Sequence, residues 1–152
     1  MRRVVVTGLG IVSSIGNNAE EVRASLMAGT SGIVASPEMA EHGFRSRVAG
    51  TLKINLADHI DKRTLRFMGD GAGYAYLAMA QAIADAGLTD DQISNPRTGL
   101  VAGSGGPSTS AIFTAHNVVK DTGATKRIGP FAVPKSMSST VSANLSTAFK
   151  IK

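Results

Sequence analysis

The fold is decided by the stretch RVVVTGLGIVSSIG, which runs from Arg3 to Gly16. Its β-branched run Val4–Thr7 has no polar alternation, which is typical of a strand buried on both faces. The segment Gly8–Gly10 then allows a tight backbone turn, because glycine carries no Cβ. Asn18 can begin a helix by accepting a first-turn N–H group. A buried strand, a glycine turn and a helix in succession predict that this strand is central in an α/β sheet.

The composition bounds the class of protein. The chain has 152 residues, 43% of them hydrophobic, which is enough for one domain with a core. No stretch is suited to a signal peptide or a membrane span, so we expect a cytoplasmic protein with no membrane partner. The absence of Cys excludes a disulfide framework, a thiolate metal site and a Cys nucleophile within these residues. The net charge of +5 fits either a solvated surface or an acidic partner. The basic residues do not form a nucleic-acid-binding arm or helix, so no nucleic acid is expected.

Apolar spacings and capping signals predict most of the other elements. Asn18 and Glu21 are placed to form a capping box for the first helix, which Gly29 ends, and Thr89–Gln92 is predicted to cap a further short helical turn. A second buried strand is predicted at Thr98–Gly103, and Phe131–Pro134 is predicted to be extended. Further helices are predicted at Asp58–Met68, Asp70–Ala86, Ile112–Val119 and Ser136–Ala148. Thr30–Asn55 is predicted to be a long, irregular surface excursion with short extended pieces.

Two glycine-rich segments partly match the patterns of nucleotide- and phosphate-binding sites. The run Gly8–Ser13 is close to the dinucleotide fingerprint G-x-G-x-x-G, with Ser13 in place of the third glycine and an acidic residue, Glu38, further on. The run Gly103–Gly106 could hold phosphate at a helix N-terminus, but it lacks the Gly-Lys-Ser/Thr of a P-loop. We favour a purely structural turn in both places, and a nucleotide-binding oxidoreductase stays open as an alternative.

The residues offer no other catalytic or metal constellation. His42, His59 and His116 are widely spaced and have no paired carboxylates, so no metal site is expected. The serines of Ser136–Ser146 form no nucleophile elbow. The residues alone therefore bring together no nucleophile, base and oxyanion hole.

Several blocks along the chain closely resemble β-ketoacyl-acyl-carrier-protein synthases, the condensing enzymes of bacterial fatty acid synthesis. The blocks are Arg2–Gly16, Ile60–Arg63, Arg66–Met68, Gln81–Leu88, Gly99–Gly106 and Phe149–Ile151. The resemblance covers essentially all 152 residues and is greatest to the synthase I branch. It implies an α/β, thiolase-like fold of layered αβαβα type. Residues 1–152 would be the N-terminal portion of the family's N-terminal domain.

The resemblance implies a decarboxylating Claisen condensation, in which an acyl group on an active-site Cys is attacked by the carbanion of malonyl-acyl-carrier protein. The family's Cys, two His and supporting Lys all match positions beyond Lys152. This chain is therefore expected to hold no catalytic residue and to be inactive alone. No metal and no cofactor is implied, because the phosphopantetheine arm arrives on the acyl carrier protein. The intact protein would be a homodimer.

The resemblance assigns roles to residues of this chain. Lys62, Arg63 and Arg66 match a basic patch that receives the acyl carrier protein. Lys126 and Arg127 lie where further basic contacts occur in the family. The implied acyl-pocket residues are Gly105, Gly106 and Met137, the last reaching the partner subunit's pocket. Pro107 and Pro134 depart from the family pattern.

Two further expectations follow. The family pairs its sheet with a strand that would follow Ile151, so the apolar faces of Val4–Val6 and Leu100–Ala102 should be partly uncovered in this chain. A non-catalytic domain that uses the same fold only to bind a carrier protein or partner stays open as a second alternative.

Overall fold

The structure is a computed structural model that describes residues 3–151. The two strands are β1 (Ile33–Ala35) and β2 (Val48–Gly50), and 3-10 turns lie at Leu56–Asp58 and Thr125–Ile128. The helices are α1 (Ala19–Ala28), α2 (Pro37–Glu41), α3 (Lys62–Leu65), α4 (Asp70–Asp85), α5 (Asp90–Ile93), α6 (Thr109–Thr122), α7 (Ala132–Ser136) and α8 (Thr140–Ala148). Among the described residues, none of these helices has the length and hydropathy that crossing a bilayer requires.

Local signals fix the helix ends. The Asn18 side chain accepts from the N–H of Glu21 at 2.9 Å and begins α1. Glu21 reaches back as predicted, although its carboxylate takes the N–H of Asn17, at 2.8 Å, rather than that of Asn18. Gly29 ends α1 with a φ of 64°, a conformation that favours glycine. The capping box predicted between Thr89 and Gln92 is also present, at the start of α5.

The core lies around α4, which confirms the helix predicted at Asp70–Ala86. Ile60, Met68, Ala72 and Leu77 form its buried cluster. α8 packs along α4, with Leu145 buried. At the end of this contact the ring of Tyr76 stacks on that of Phe149, with centroids 5.1 Å apart.

The two predicted buried strands are wrong for the described residues. Val4–Thr7 and Thr98–Gly103 pair with no strand, and the one sheet is antiparallel β1–β2, with Val34 opposite Ala49. Val4 is 93% exposed and Val101 fully so. A strand requires a neighbour that satisfies its N–H and C=O groups, and neither segment has one here. Their apolar faces are uncovered, as the resemblance implied.

The N-terminal segment lies instead against α4. The N–H of Leu9 donates to a carboxylate oxygen of Asp85 at 2.9 Å, and the N–H of Ile11 donates to the side-chain oxygen of Gln81 at 3.1 Å. The side-chain nitrogen of Gln81 in turn donates to the carbonyl oxygen of Asn17 at 2.7 Å. Two side chains of α4 therefore hold the segment along its length.

Gly8 and Gly10 do not form the predicted tight turn. Neither has a positive φ, and the chain turns further on, where Ser13 and Gly16 exchange backbone hydrogen bonds. A Cβ built on Gly8 would overlap the carbonyl oxygen of Ala82, and one on Gly10 would overlap that of Ala78. The glycines therefore let the segment approach the backbone of α4.

Three other predicted elements need correction. The helix predicted at Asp58–Met68 is broken, because the Asp61 side chain accepts the first N–H groups of α3 and so starts a new helix there. Phe131–Pro134 is not extended: Phe131 precedes α7, and Ala132–Pro134 form its first turn, where Pro134 needs no N–H partner. α8 begins at Thr140 rather than Ser136, because Ser136 belongs to α7.

Candidate functional site

The first group of predicted carrier-binding residues lies on and just after α3. Lys62, Arg63 and Arg66 are all exposed, whereas Leu65 packs against the core and Met68 is buried within it. Their spacing of three and four residues along the chain therefore places the three charges outward, on an element that the core anchors.

Asp61 fixes the start of this charged helix. Its carboxylate accepts from the N–H of Arg63 at 2.9 Å, from the N–H of Thr64 at 3.1 Å and from the Thr64 hydroxyl. The hydroxyl hydrogen bond, the backbone hydrogen bonds and the nearby Arg63 charge together hold the pKa of Asp61 below its usual 3.8. Asp61 is therefore an anion near neutral pH, and it orients the backbone that carries Lys62 and Arg63.

Arg66 is held by two aromatic rings. Its guanidinium carbon lies 5.0 Å from the ring centre of Phe67 and 5.1 Å from that of Phe131. The two rings meet edge to face, with centroids 5.0 Å apart and an interplanar angle of 88°. Both distances are within the range of a cation–π interaction.

The second group of predicted carrier-binding residues is brought towards the first. Lys126 and Arg127 are exposed on the 3-10 turn that packs on α6. Phe131, which touches Arg66, follows Arg127 by four residues, so the two Cα atoms are at most about 14 Å apart. The contact between Arg66 and Phe131 therefore limits how far the second basic segment can lie from the first.

Two of the three predicted acyl-pocket residues line the same cavity, and the third does not. Gly106 and Met137 line one cavity of about 300 Å³, between the loop before α6 and the starts of α4 and α8. Gly105 lies in the same loop but does not line this cavity. Met137 also lines an apolar groove of about 450 Å³, together with Phe67 and Val133.

Sequence reasoning missed the aromatic partners and a larger cavity. Phe67 could have been noticed as the neighbour of Arg66, but nothing in the local pattern connects Phe131 with either residue. A cavity of about 490 Å³ lies beside them, and its polar side chains include Asp70, Ser110 and Lys135.

The Gly8–Gly10 segment cannot act as a dinucleotide loop. The N–H groups of Leu9 and Ile11 are already bonded to side chains of α4, whose backbone also fills the space at both glycines. The next helix, α1, begins only at Ala19, so this segment does not lead directly into a helix N-terminus as the dinucleotide motif does. The loop Gly103–Gly106 is open and exposed, with Ser104 donating to the Gly106 carbonyl oxygen at 2.8 Å.

The histidines are not brought together. Within residues 3–151, no three His, Asp or Glu side chains are arranged to hold a metal ion.

Comparison with known proteins identifies the family. The sequence pattern of "Beta-ketoacyl synthase, N-terminal domain" matches residues 1–152. The chain is 57% identical to the 3-oxoacyl-[acyl-carrier-protein] synthase 1 of Haemophilus influenzae over 152 residues, which are all of this chain and 37% of the relative. The enzyme of the same name from Escherichia coli is 50% identical over 99% of this chain and 37% of its own length.

Comparison with solved structures indicates the same family. The crystal structure of a β-ketoacyl synthase from Burkholderia phymatum superposes with a TM-score of 0.82 at 30% identity, over all of this chain and 38% of that one. The predicted thiolase-like α/β class is therefore confirmed, although the described residues pair only two strands. The chain spans little more than a third of the relatives that it matches. It belongs to the β-ketoacyl synthase family, whose N-terminal domain it matches along its whole length.

Proposed function

We propose that the whole protein to which this chain belongs is a 3-oxoacyl-acyl-carrier-protein synthase of fatty acid biosynthesis. Malonyl-acyl-carrier protein loses carbon dioxide, and the electron pair of the broken carbon–carbon bond becomes a carbanion. The carbanion attacks the carbonyl carbon of an acyl thioester on an enzyme Cys, and the thiolate leaves as the new bond forms. The support is the 57% identity to an enzyme of this name.

The reacting groups are proposed to lie outside residues 1–152. Such a reaction needs a thiol nucleophile, and this chain has no Cys. Its proposed contribution is to receive the substrates: the basic surface would dock the acyl carrier protein, and Gly106 and Met137 would line part of the acyl pocket, with Gly105 in the adjoining loop.

The observation that carries the docking proposal is the arrangement of five cations. Lys62, Arg63 and Arg66 are exposed on a core-anchored helix, and the turn with Lys126 and Arg127 is tied to them through Phe131. A positive surface of this kind attracts an acidic protein and mainly sets the encounter rate and its salt dependence.

The remaining features of the protein are proposed from the resemblance. The protein would be a cytoplasmic homodimer that needs neither a metal nor a nucleotide, since the phosphopantetheine arm belongs to the carrier. The exposed apolar groove at Phe67, Val133 and Met137 is the kind of surface that a partner subunit covers.

Charge reversal tests the docking surface. Changing Lys62, Arg63 and Arg66 together to Glu in the full-length protein should raise KM for malonyl-acyl-carrier protein by about tenfold or more, because a buried or rim charge of the wrong sign repels the partner. A small malonyl thioester without a carrier should react almost normally. Equal losses with both substrates would indicate damaged folding, and no loss with either would remove this surface from the mechanism. Binding of the carrier without any condensation would support the non-catalytic alternative.

A further inference from the structure

Arg66 differs from the other cations of the docking surface in its surroundings. Its guanidinium lies near the ring centres of Phe67 and Phe131, at 5.0 and 5.1 Å. An exposed arginine that has no such contact samples many rotamers, and binding a carboxylate then requires that it be ordered. A contact with aromatic rings consumes no N–H donor, so the fork of the guanidinium keeps its capacity to bind a carboxylate.

Phe131 is the better anchored of the two rings. It is half-buried, its carbonyl oxygen accepts from the N–H of Lys135 at 3.1 Å, and its side chain lines the cavity against α6. Phe67 is more exposed and adjoins Arg66 in the chain, so it moves with α3. The edge-to-face contact between the rings therefore fixes the end of α3 against the start of α7.

The same residue is also close in the chain to the second basic segment. Lys126 and Arg127 are separated from Phe131 only by Ile128, Gly129 and Pro130. Ile128 packs into the cavity that Phe131 also lines. A displacement of the Phe131 ring would thus affect both the orientation of Arg66 and the distance between the two basic segments.

We infer that Phe131 is a positioning residue for carrier docking, which holds the Arg66 guanidinium and aligns the Lys126–Arg127 turn with α3. The partner is the acidic carrier protein of the proposed function, on which this inference rests. Phe131 itself need not touch the carrier, because it acts through Arg66.

A double-mutant cycle in the full-length protein tests the inference. The variants are Phe131→Leu, Arg66→Met, the two combined, and Phe131→Tyr, which keeps an aromatic face. Phe131→Leu should raise KM for malonyl-acyl-carrier protein about two- to fivefold, the size expected of one exposed cation–π contact. The kcat and the reaction with a carrier-free malonyl thioester should stay within twofold of the unmodified protein. Phe131→Tyr should behave like the unmodified protein, and Phe131→Leu should add almost nothing in the Arg66→Met background.

A matched control is Phe113→Leu, which removes an exposed ring of α6. This ring is not one of the two that contact Arg66, so the change should leave KM for malonyl-acyl-carrier protein unchanged. If Phe131→Leu does not fold, Phe67→Leu removes the other ring from the same guanidinium and should give the same selective rise in KM.

The outcomes separate the inference from the function on which it rests. If Arg66→Met raises KM for the carrier substrate but Phe131→Leu does not, the positioning role is overturned and the docking surface stands. If Arg66→Met itself has no effect, both fail. Equal losses with carrier-bound and carrier-free substrates, or additive effects of the two substitutions, would show that Phe131 only stabilises the fold.

Discussion

Gly10 lies so close to α4 that no side chain fits between them, and Gly10→Ala tests this contact. The added Cβ would overlap the carbonyl oxygen of Ala78, and it would lie 2.8 Å from the nitrogen of Ala82. Both obstacles are helix backbone, so the N-terminal segment must move instead. Moving it breaks the hydrogen bonds from Leu9 to Asp85 and from Ile11 to Gln81.

The cost can be worked from these contacts. Each lost hydrogen bond contributes about 1 kcal/mol, and overpacking of this kind costs about 1–3 kcal/mol. We expect Gly10→Ala to lower the free energy of unfolding of the full-length protein by about 3–5 kcal/mol. Gly71→Ala is the matched control, because Gly71 lies in α4 with no atom near its Cβ position. It should be neutral or stabilise by up to about 1 kcal/mol.

Two measurements decide the outcome. Denaturant unfolding gives the change in stability, and hydrogen exchange read by mass spectrometry reports the segment itself. Gly10→Ala should abolish protection of the Leu9 and Ile11 amides, whereas Gly71→Ala should leave it intact. If both variants are equally stable and equally protected, the close packing described here is not what holds the N-terminal segment.

Two more predictions concern α3 and the core. Thr64→Val removes the hydroxyl that most lowers the pKa of Asp61, so an NMR titration should show this pKa rising towards 3.8. Because the folded-state pKa lies below the unfolded one, the stabilisation from ionised Asp61 is fully present above about pH 4 and disappears as the pH falls through the folded pKa; in Thr64→Val it should disappear at a higher pH. Met68→Ala opens a cavity in the buried cluster and should destabilise by about 2–5 kcal/mol in denaturant unfolding, with Met27→Ala, a change at an exposed methionine, as the near-neutral control.

Sequence predicted well where the cause of a structure is local. Asn18, Gly29 and Thr89 each act within a few residues of their own position, so a capping pattern contains the whole interaction. α4 was predicted from its apolar spacing, because the face that it buries is defined by its own periodicity. The strands failed for the opposite reason. A valine run such as Val4–Val6 indicates only that the segment would suit a buried strand. Whether it forms one depends on hydrogen bonds with a second segment, which the run itself does not specify.

The proposed docking surface shows the same difference between local and long-range causes. The outward direction of Lys62, Arg63 and Arg66 follows from spacing along the chain, and the structure places them accordingly. The distance between these charges and the Lys126–Arg127 turn is limited by the contact between Arg66 and Phe131, which are 65 positions apart. No period or motif encodes such a pair, because the contact exists only after α3, α6 and α7 have packed. A site for a large, charged partner is therefore specified at two levels: sequence spacing supplies the charges, and tertiary packing sets their relative positions.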